Sequence, residues 1–480
     1  MLAQRPPTLR NTARNLIFID LTGGPAHVDT FDIKSNDPSL TPDQDIYVRN
    51  DRAEALMGID TFRGIQLPGY IFRNLKDQAD KMVVVRSYWG WSAAHNIAQY
   101  WVYAGQDFNP VFAAERPNLG AVVASEFWRQ RASGDVLPGF ITLNTGLPYQ
   151  NGFLSGLYAP FSVTTSPGGL GNILDHPEGE ARFNARWDML QEVETSLRGA
   201  NSPLGKPAAD IARFYDATKA MMYNPALQSI FRYTVGAGSE AQRYAPIQVG
   251  SDGYTQTQPG NVNGDGFGNA CLVARNVLRA NKGTRAIWIN LGGWDQHGNI
   301  YGGGTPNPNA GIYMLGRRLD AGVGNLVADL RTTPGTQAGR SLLDETLIVI
   351  TGDFGRTPPN RYNTQSDPVR RGTNNGMGRD HWPQTMTCVF IGGGINGGRV
   401  IGVTDAHGDR MVDVGWEPPN GRPPAGGYPG AGPYVRTEDI YYTIYSALGI
   451  NPANSIADTP SRRVYRYVPR DFFGEIPLWS

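Results

Sequence analysis

The chain has 480 residues, with 43 basic and 43 acidic side chains and a formal net charge of zero. That length accommodates one large α/β core with insertions, or two domains. Balanced charge argues against a nucleic-acid groove and against a polybasic membrane surface. Glycine (60) and proline (35) are abundant, which implies much ordered loop. The two cysteines, Cys271 in an apparent helix and Cys388 in an apparent strand, read as buried free thiols. No apolar run is long enough to span a bilayer. The first residues are basic with no apolar segment behind them, so no signal peptide is visible. The chain is then either cytoplasmic or lacks a leader here.

Taken in order, residues 1–14 read as an extended arm and 15–21 as the first strand. Residues 22–32 form its loop, TGGPAHVDTFD, with His27, Asp29 and Asp32. Residues 37–66 are polar and irregular. The spacing of Ile71, Leu75 and Ala79 predicts a helix over 70–81. A short strand at 83–85 leads through SYWGWSAAH to a helix over 96–104, closed by Gly105. Residues 140–143 form another strand and 146–171 a loop. Helical patterns at 178–198 and 208–223, with the segment up to 244, predict a helical insertion inside a single domain and outside its sheet. After a polar loop (251–268) comes a helix over 269–280, then a strand over 285–291. That strand runs into GGWDQHGN, with Asp295 and His297. Ile312, Leu315, Leu319, Val323, Leu326 and Leu330 mark one further helix.

The run at 346–351 is apolar and β-branched, so it reads as a buried strand. Strand, helix, strand at this spacing is a βαβ unit, and the sheet is at least partly parallel. Asp353 and Arg356 follow immediately, at the edge where open α/β sheets bind ligands. After a polar loop (360–378), GRDHWP supplies Asp380 and His381 shortly before an apolar run at 386–391. Residues 415–433 are a Pro/Gly-rich surface excursion and 438–448 a terminal helix. No internal repeat is present.

Imidazoles and carboxylates gathered on one sheet edge suit a hard-to-borderline divalent metal. Asp295, His297, Asp353 and His381 are the expected ligands, with His27 or Asp29 as further candidates. Arg356 suits an anionic oxyacid through its planar fork, or else pairs with Asp380 or Asp353. His176 and His407 read as structural. Trp288, Trp294, Trp382, Tyr88, Trp89 and Trp91 flank these loops; packing is their default, and a sugar- or aryl-binding rim the alternative.

DETLIVITGDFGRTP resembles the strand and loop that carry a metal-binding aspartate in the alkaline phosphatase and sulfatase superfamily. VRTEDIYYTIYSALGI resembles a helix near the carboxyl end of sulfatase domains. More closely, GGPAHVDTFD, the helix running from His95 to Gly105, GGWDQHGN, GDFGRTP, GRDHWP and FIGGGINGGRVIGVTD together resemble the bacterial domain-of-unknown-function family numbered 1501. The resemblance covers the chain from about Asn15 onward. It implies an α/β, alkaline-phosphatase-type three-layer sandwich with a mixed, mainly parallel central sheet. It also implies a divalent metal cofactor, zinc being the most plausible, and a small-molecule or polysaccharide ester as substrate. Export to the periplasm or beyond is implied as well. The pattern departs at three points. Counting back ten residues from Gly105, where the superfamily has a Ser, Thr or Cys nucleophile, gives His95. Thr22 and Gly23 stand where the first metal aspartate is usual, and the usual Asp-His pair is Asp353-Phe354. His95 is therefore a nucleophile, a further ligand or a general acid. Two functions are expected: a metal-dependent hydrolase of phosphate or sulfate esters, or a non-catalytic cell-surface protein that keeps the fold and a partial metal site and binds a polymer or a partner protein.

Overall fold

The structure is a computed structural model. It describes residues 9–34, 59–69, 71–170, 178–195, 215–216, 218–219, 221–251, 255–298, 300, 307–357, 380–406, 408–418, 434–469 and 473–480. His176, His407, Tyr70 and the loops expected at 360–378 and 419–433 lie outside the described residues.

Eight strands form the central sheet: β1 (Asn15–Leu21), β2 (Met82–Tyr88), β3 (Phe140–Leu143), β4 (Phe161–Val163), β5 (Ala286–Asn290), β6 (Thr346–Gly352), β7 (Met386–Gly392) and β8 (Arg399–Ile401). Their spatial order is β8-β2-β7-β6-β1-β5-β3-β4. Every neighbouring pair is parallel except the two that β7 makes, with β6 and with β2. β7 therefore runs alone against the other seven. All residues of β1, β6 and β7 are buried. A strand covered on both faces reads as a continuous apolar run, which is why the runs at 346–351 and 386–391 are unbroken.

Alternate residues of these strands enter two separate cores. Ile17, Ile19, Ile287, Ile289, Ile348 and Ile350 face one, together with helices α4 (Gly266–Ala280), α5 (Gly311–Leu319) and α6 (Asn325–Thr332). Leu16, Phe18, Trp288, Leu347 and Val349 face the other, with α1 (His95–Ala104), α2 (Leu119–Phe127) and α7 (Thr437–Ala447). This is the helix–sheet–helix sandwich with a mixed, mainly parallel sheet that the sequence implied. Cys271 and Cys388 are both free and buried.

Three elements differ from expectation. The helix spanning 312–330 is interrupted by a π-turn, Asp320–Gly324. Of the helix expected over 70–81, the described residues 71–81 form only a 3₁₀ helix, Lys76–Lys81, although Ile71, Leu75 and Ala79 are all buried. One side chain joins the two. The Asp320 carboxylate accepts the backbone N–H groups of Asn74 (2.9 Å) and Leu75 (2.8 Å), which a regular helix would direct elsewhere. Within 178–244, α3 (Gly179–Glu194) has no buried residue. The short helices Pro225–Phe231 and Glu240–Arg243, by contrast, carry Leu227, Phe231 and Ala241 into the core beside α4. Arg275 of α4 ties them down through Glu240 (2.6 Å) and Asp329 (2.7 Å).

Candidate metal centre

The carboxyl ends of β1, β5 and β6 open onto one edge. β7 runs the other way, so the segment before it, with Asp380 and His381, reaches the same edge. A two-residue ladder pairs Arg356 with His381 and Gly355 with Trp382. α1 begins at His95 with no side-chain cap, so its first turn also points there.

Three imidazoles meet around Asp295. His95 Nε2 lies 3.3 Å from Asp295 Oδ2. His297 Nε2 and His381 Nε2 lie 3.0 and 3.3 Å from Asp295 Oδ1, and 2.9 Å from each other. His95, Asp295 and His381 each offer a ligand atom within 4.8 Å of the others. Each ring is oriented through its other nitrogen. His95 Nδ1 donates to Asp353 (2.6 Å), His297 Nδ1 to Asp380 (2.7 Å) and His381 Nδ1 to the Ala93 carbonyl (2.6 Å). With Nδ1 carrying the hydrogen in each, the Nε2 lone pairs of His297 and His381 face one another, which requires a proton or a cation between them. In a tetrahedral site with metal–ligand distances of about 2.0–2.1 Å, ligand atoms stand roughly 3.3 Å apart. The 2.9–3.3 Å separations are close to that edge. His95 Nε2 makes no hydrogen bond of its own. The donor set and its outer anchors therefore fit a divalent ion.

Arg356 does not reach outward. Its guanidinium is fully buried and donates to the carbonyls of Gly24 (2.9 Å) and Gly23 and to Asp295 (2.5 Å). The carboxylate it pairs with is Asp295, rather than Asp380 or Asp353. Burial pushes the Asp295 carboxyl up, but the Arg356 hydrogen bond and charge outweigh it and hold the group well below the usual carboxylate range. The hydrogen bond that His95 donates to Asp353 raises its imidazole, whereas burial lowers His381. Asp353 is enclosed: its Oδ2 accepts from His95, Gln99 (3.1 Å) and the Gly23 amide (3.2 Å). It orients a ligand rather than joining the inner group. His27 and Asp29 are not brought to the cluster. They sit in a 3₁₀ turn, where His27 Nε2 faces the Gly408 carbonyl (2.7 Å) and Thr385 (3.1 Å).

Behind the site lies a polar layer that the motifs did not single out. His95, Gln99 and Tyr103 recur at every fourth residue on one face of α1. The first two hold Asp353; Tyr103 donates to Asp20 on β1 (2.7 Å). Burial, reinforced by the negative charge of Asp353, pushes Asp20 up to about 7. The four-residue spacing of polar side chains was the available signal. It was masked because the chain had to be known to pack that face on charged strand ends.

Residues 13–420 match the family described as Protein of unknown function (DUF1501). The chain belongs to that family. No curated protein matches it. Among solved structures it is similar to the lipoteichoic acid synthase LtaP from Listeria monocytogenes (11% identity, TM-score 0.35, covering 98% of this chain and 86% of that one). It is also similar to Ps i-CgsB in complex with k-i-k-neocarrahexaose (12%, TM-score 0.35, 91% and 72%). A third is the phosphonate monoester hydrolase SpPMH from Silicibacter pomeroyi (10%, TM-score 0.34, 92% and 74%). These scores are low, and the architecture described above stands on the chain's own strand order. No described helix is long and apolar enough to cross a membrane.

Proposed function

We propose that this protein is a metal-dependent hydrolase of phosphate or sulfate esters, acting on a small-molecule or polysaccharide ester after export. The observation that carries the reading is the set of three imidazoles, each presenting Nε2 to Asp295 while an acceptor fixes its Nδ1. His95, Asp295 and His381 are the inner ligands and His297 the fourth donor; the nitrogen-rich set suits zinc. A divalent ion held there supplies Lewis acidity toward an ester oxygen.

The chain's own residues do the rest. Arg356 keeps Asp295 ionised and aimed inward instead of clamping substrate. Asp353 fixes the His95 tautomer. The uncapped first turn of α1 offers backbone N–H groups and the positive end of its dipole to an anionic ester. His95 stands where the superfamily's nucleophile is usual, but its geometry is that of a ligand held from behind.

Elemental analysis of the purified protein beside a metal-stripped control, followed by a broad panel of phosphate and sulfate esters, tests this. We expect a stoichiometric divalent ion and turnover lost together with it. His95→Ala should lose both metal and turnover; loss of turnover with full metal content would return His95 to a nucleophile or acid. Protein that never takes up metal overturns the reading. Full metal content without turnover on the panel favours the non-catalytic binding protein.

A further inference from the structure

The opposite edge of the sheet holds a second charged feature. A cavity of about 40 Å³ lies at the amino ends of β1, β3 and β5, lined by Arg14, Arg131, Asp135, Gly139, Gly283 and Arg285, with apolar walls from α2. Arg14 and Arg285 immediately precede β1 and β5, and both line the cavity. None of the three arginines forms an ion pair among the described residues. Their hydrogen bonds go to neutral acceptors. Arg14 donates to Thr336. Arg131 donates to the carbonyls of Gly283 (3.1 Å), Asp135 (2.5 Å) and Leu137 (2.7 Å). Arg285 makes only long contacts, to Asn15 (3.5 Å), Asn281 (3.3 Å) and the Thr284 carbonyl (3.1 Å).

The two nearby carboxylates are turned to other donors. Asp135 accepts from the Ala132 amide (3.0 Å), and Glu345 accepts from Thr336 and the Gln337 amide (2.7 Å). Burial, and then the positive charge of Arg14, lower the Arg285 guanidinium. Three half-buried cations around one void, against two carboxylates that act on them from a distance without a close ion pair, leave an excess of positive charge that an anion would balance.

We propose that this cavity binds one small tetrahedral oxyanion, free phosphate or sulfate, through Arg14, Arg131 and Arg285. The chemistry follows from the guanidinium fork, which matches such oxyanions bidentately. The size follows from the void, which has space for a few water-sized bodies and not for a sugar or nucleoside carrying the group. The site is distinct from the metal centre, since it lies at the other ends of the same strands. If the metal centre releases phosphate or sulfate, the pocket would bind the reaction's own product.

The test is binding of inorganic phosphate and of sulfate, by calorimetry and by thermal shift at matched ionic strength. It uses the full chain, Arg285→Met, Arg14→Gln, and Asp295→Asn as a variant of the metal centre. Two variants guard against one misfolding, and melting in chloride alone reports folding for both. Either arginine substitution should weaken binding by about tenfold or more, the value of one charge-assisted hydrogen bond. Asp295→Asn and metal removal should leave that binding in place, and glucose 6-phosphate should not compete for it. The site is overturned if folded Arg285→Met and Arg14→Gln bind like the parent. It is also overturned if binding disappears with Asp295→Asn or a chelator, because the anion would then belong to the metal centre. That second outcome leaves the hydrolase reading standing, so the two proposals fail separately.

Discussion

Asp353 and Arg356 are both buried charges whose work is to hold other groups, and each can be tested as such. Asp353 accepts three hydrogen bonds on one oxygen, from His95, Gln99 and Gly23. An amide there presents a donor to some of these donors, so Asp353→Asn should lower metal affinity by about 10–100-fold, the usual effect of losing an outer-shell partner. Competition with a chelator measures it, and unchanged affinity would remove Asp353 from the site. A second buried acid lies farther off. Glu438, at the start of α7, accepts from Trp91 Nε1 (3.0 Å), and Trp91, in the loop that leads to His95, stacks on Trp101 of α1. Burial pushes Glu438 up to about 8. A raised carboxyl favours the folded state at low pH, and that contribution is lost as pH rises from about 4.5 through 8. Glu438→Gln keeps an acceptor for Trp91 and cannot ionise. It should therefore lose less stability than the parent between pH 5 and pH 9. Parallel denaturation curves for the two proteins at both pH values would contradict this.

The π-turn Asp320–Gly324 shows how an element can be legible in kind and not in detail. Its periodicity is visible from Ile312 to Leu330, and every residue the spacing selects is buried. The interruption depends on contacts far away in sequence. A Cβ on Gly324 would lie 2.5 Å from Asn74 Cβ and 3.0 Å from backbone atoms of residues 74 and 75, on the segment Asp320 also holds. Backbone cannot step aside as a side chain can. Gly324→Ala should destabilise by about 1–3 kcal/mol, the range for overpacking. Chemical denaturation measures it, and a stability equal to the parent's would mean that the close approach is relieved cheaply. At the turn after β1, Gly23 has φ +107° and its Cβ would meet the Asp295 amide at 2.5 Å. That glycine joins two strand ends at the candidate metal centre.

The whole molecule divides its loads between the two sheet edges and the helices outside. The end of the segment expected as an insertion is anchored where Asp329 receives Arg243 (2.5 Å), Arg275 (2.7 Å) and Tyr244 (2.8 Å). Asp329→Ala leaves the buried Arg275 with Glu240 as its remaining carboxylate and should cost about 1.5–3 kcal/mol, with metal content unchanged because no proposed ligand lies there. Thermal melts and elemental analysis together check this; a loss of metal would mean that the insertion supports the site. The strands were readable because buried parallel strands are short continuous apolar runs, and their chemistry follows immediately after Leu21, Asn290 and Gly352. Asp295 and His297 could be nominated on that basis and His381 from its place just before the run at 386–391, while the three-layer architecture came from the family resemblance. What the sequence alone could not decide was which polar residue faces which. Arg356 looked equally suited to substrate, and folding buried it because the Gly23 and Gly24 carbonyls and Asp295 satisfy its donors. His27 follows β1 as closely as Asp295 follows β5, yet its loop turns it toward Gly408. His95 turns its Nε2 toward Asp295 because Asp353, 258 positions away, fixes its ring. Local sequence sets periodicity and burial, while the direction of a side chain at a loop depends on partners that only the closed sheet brings within hydrogen-bonding distance.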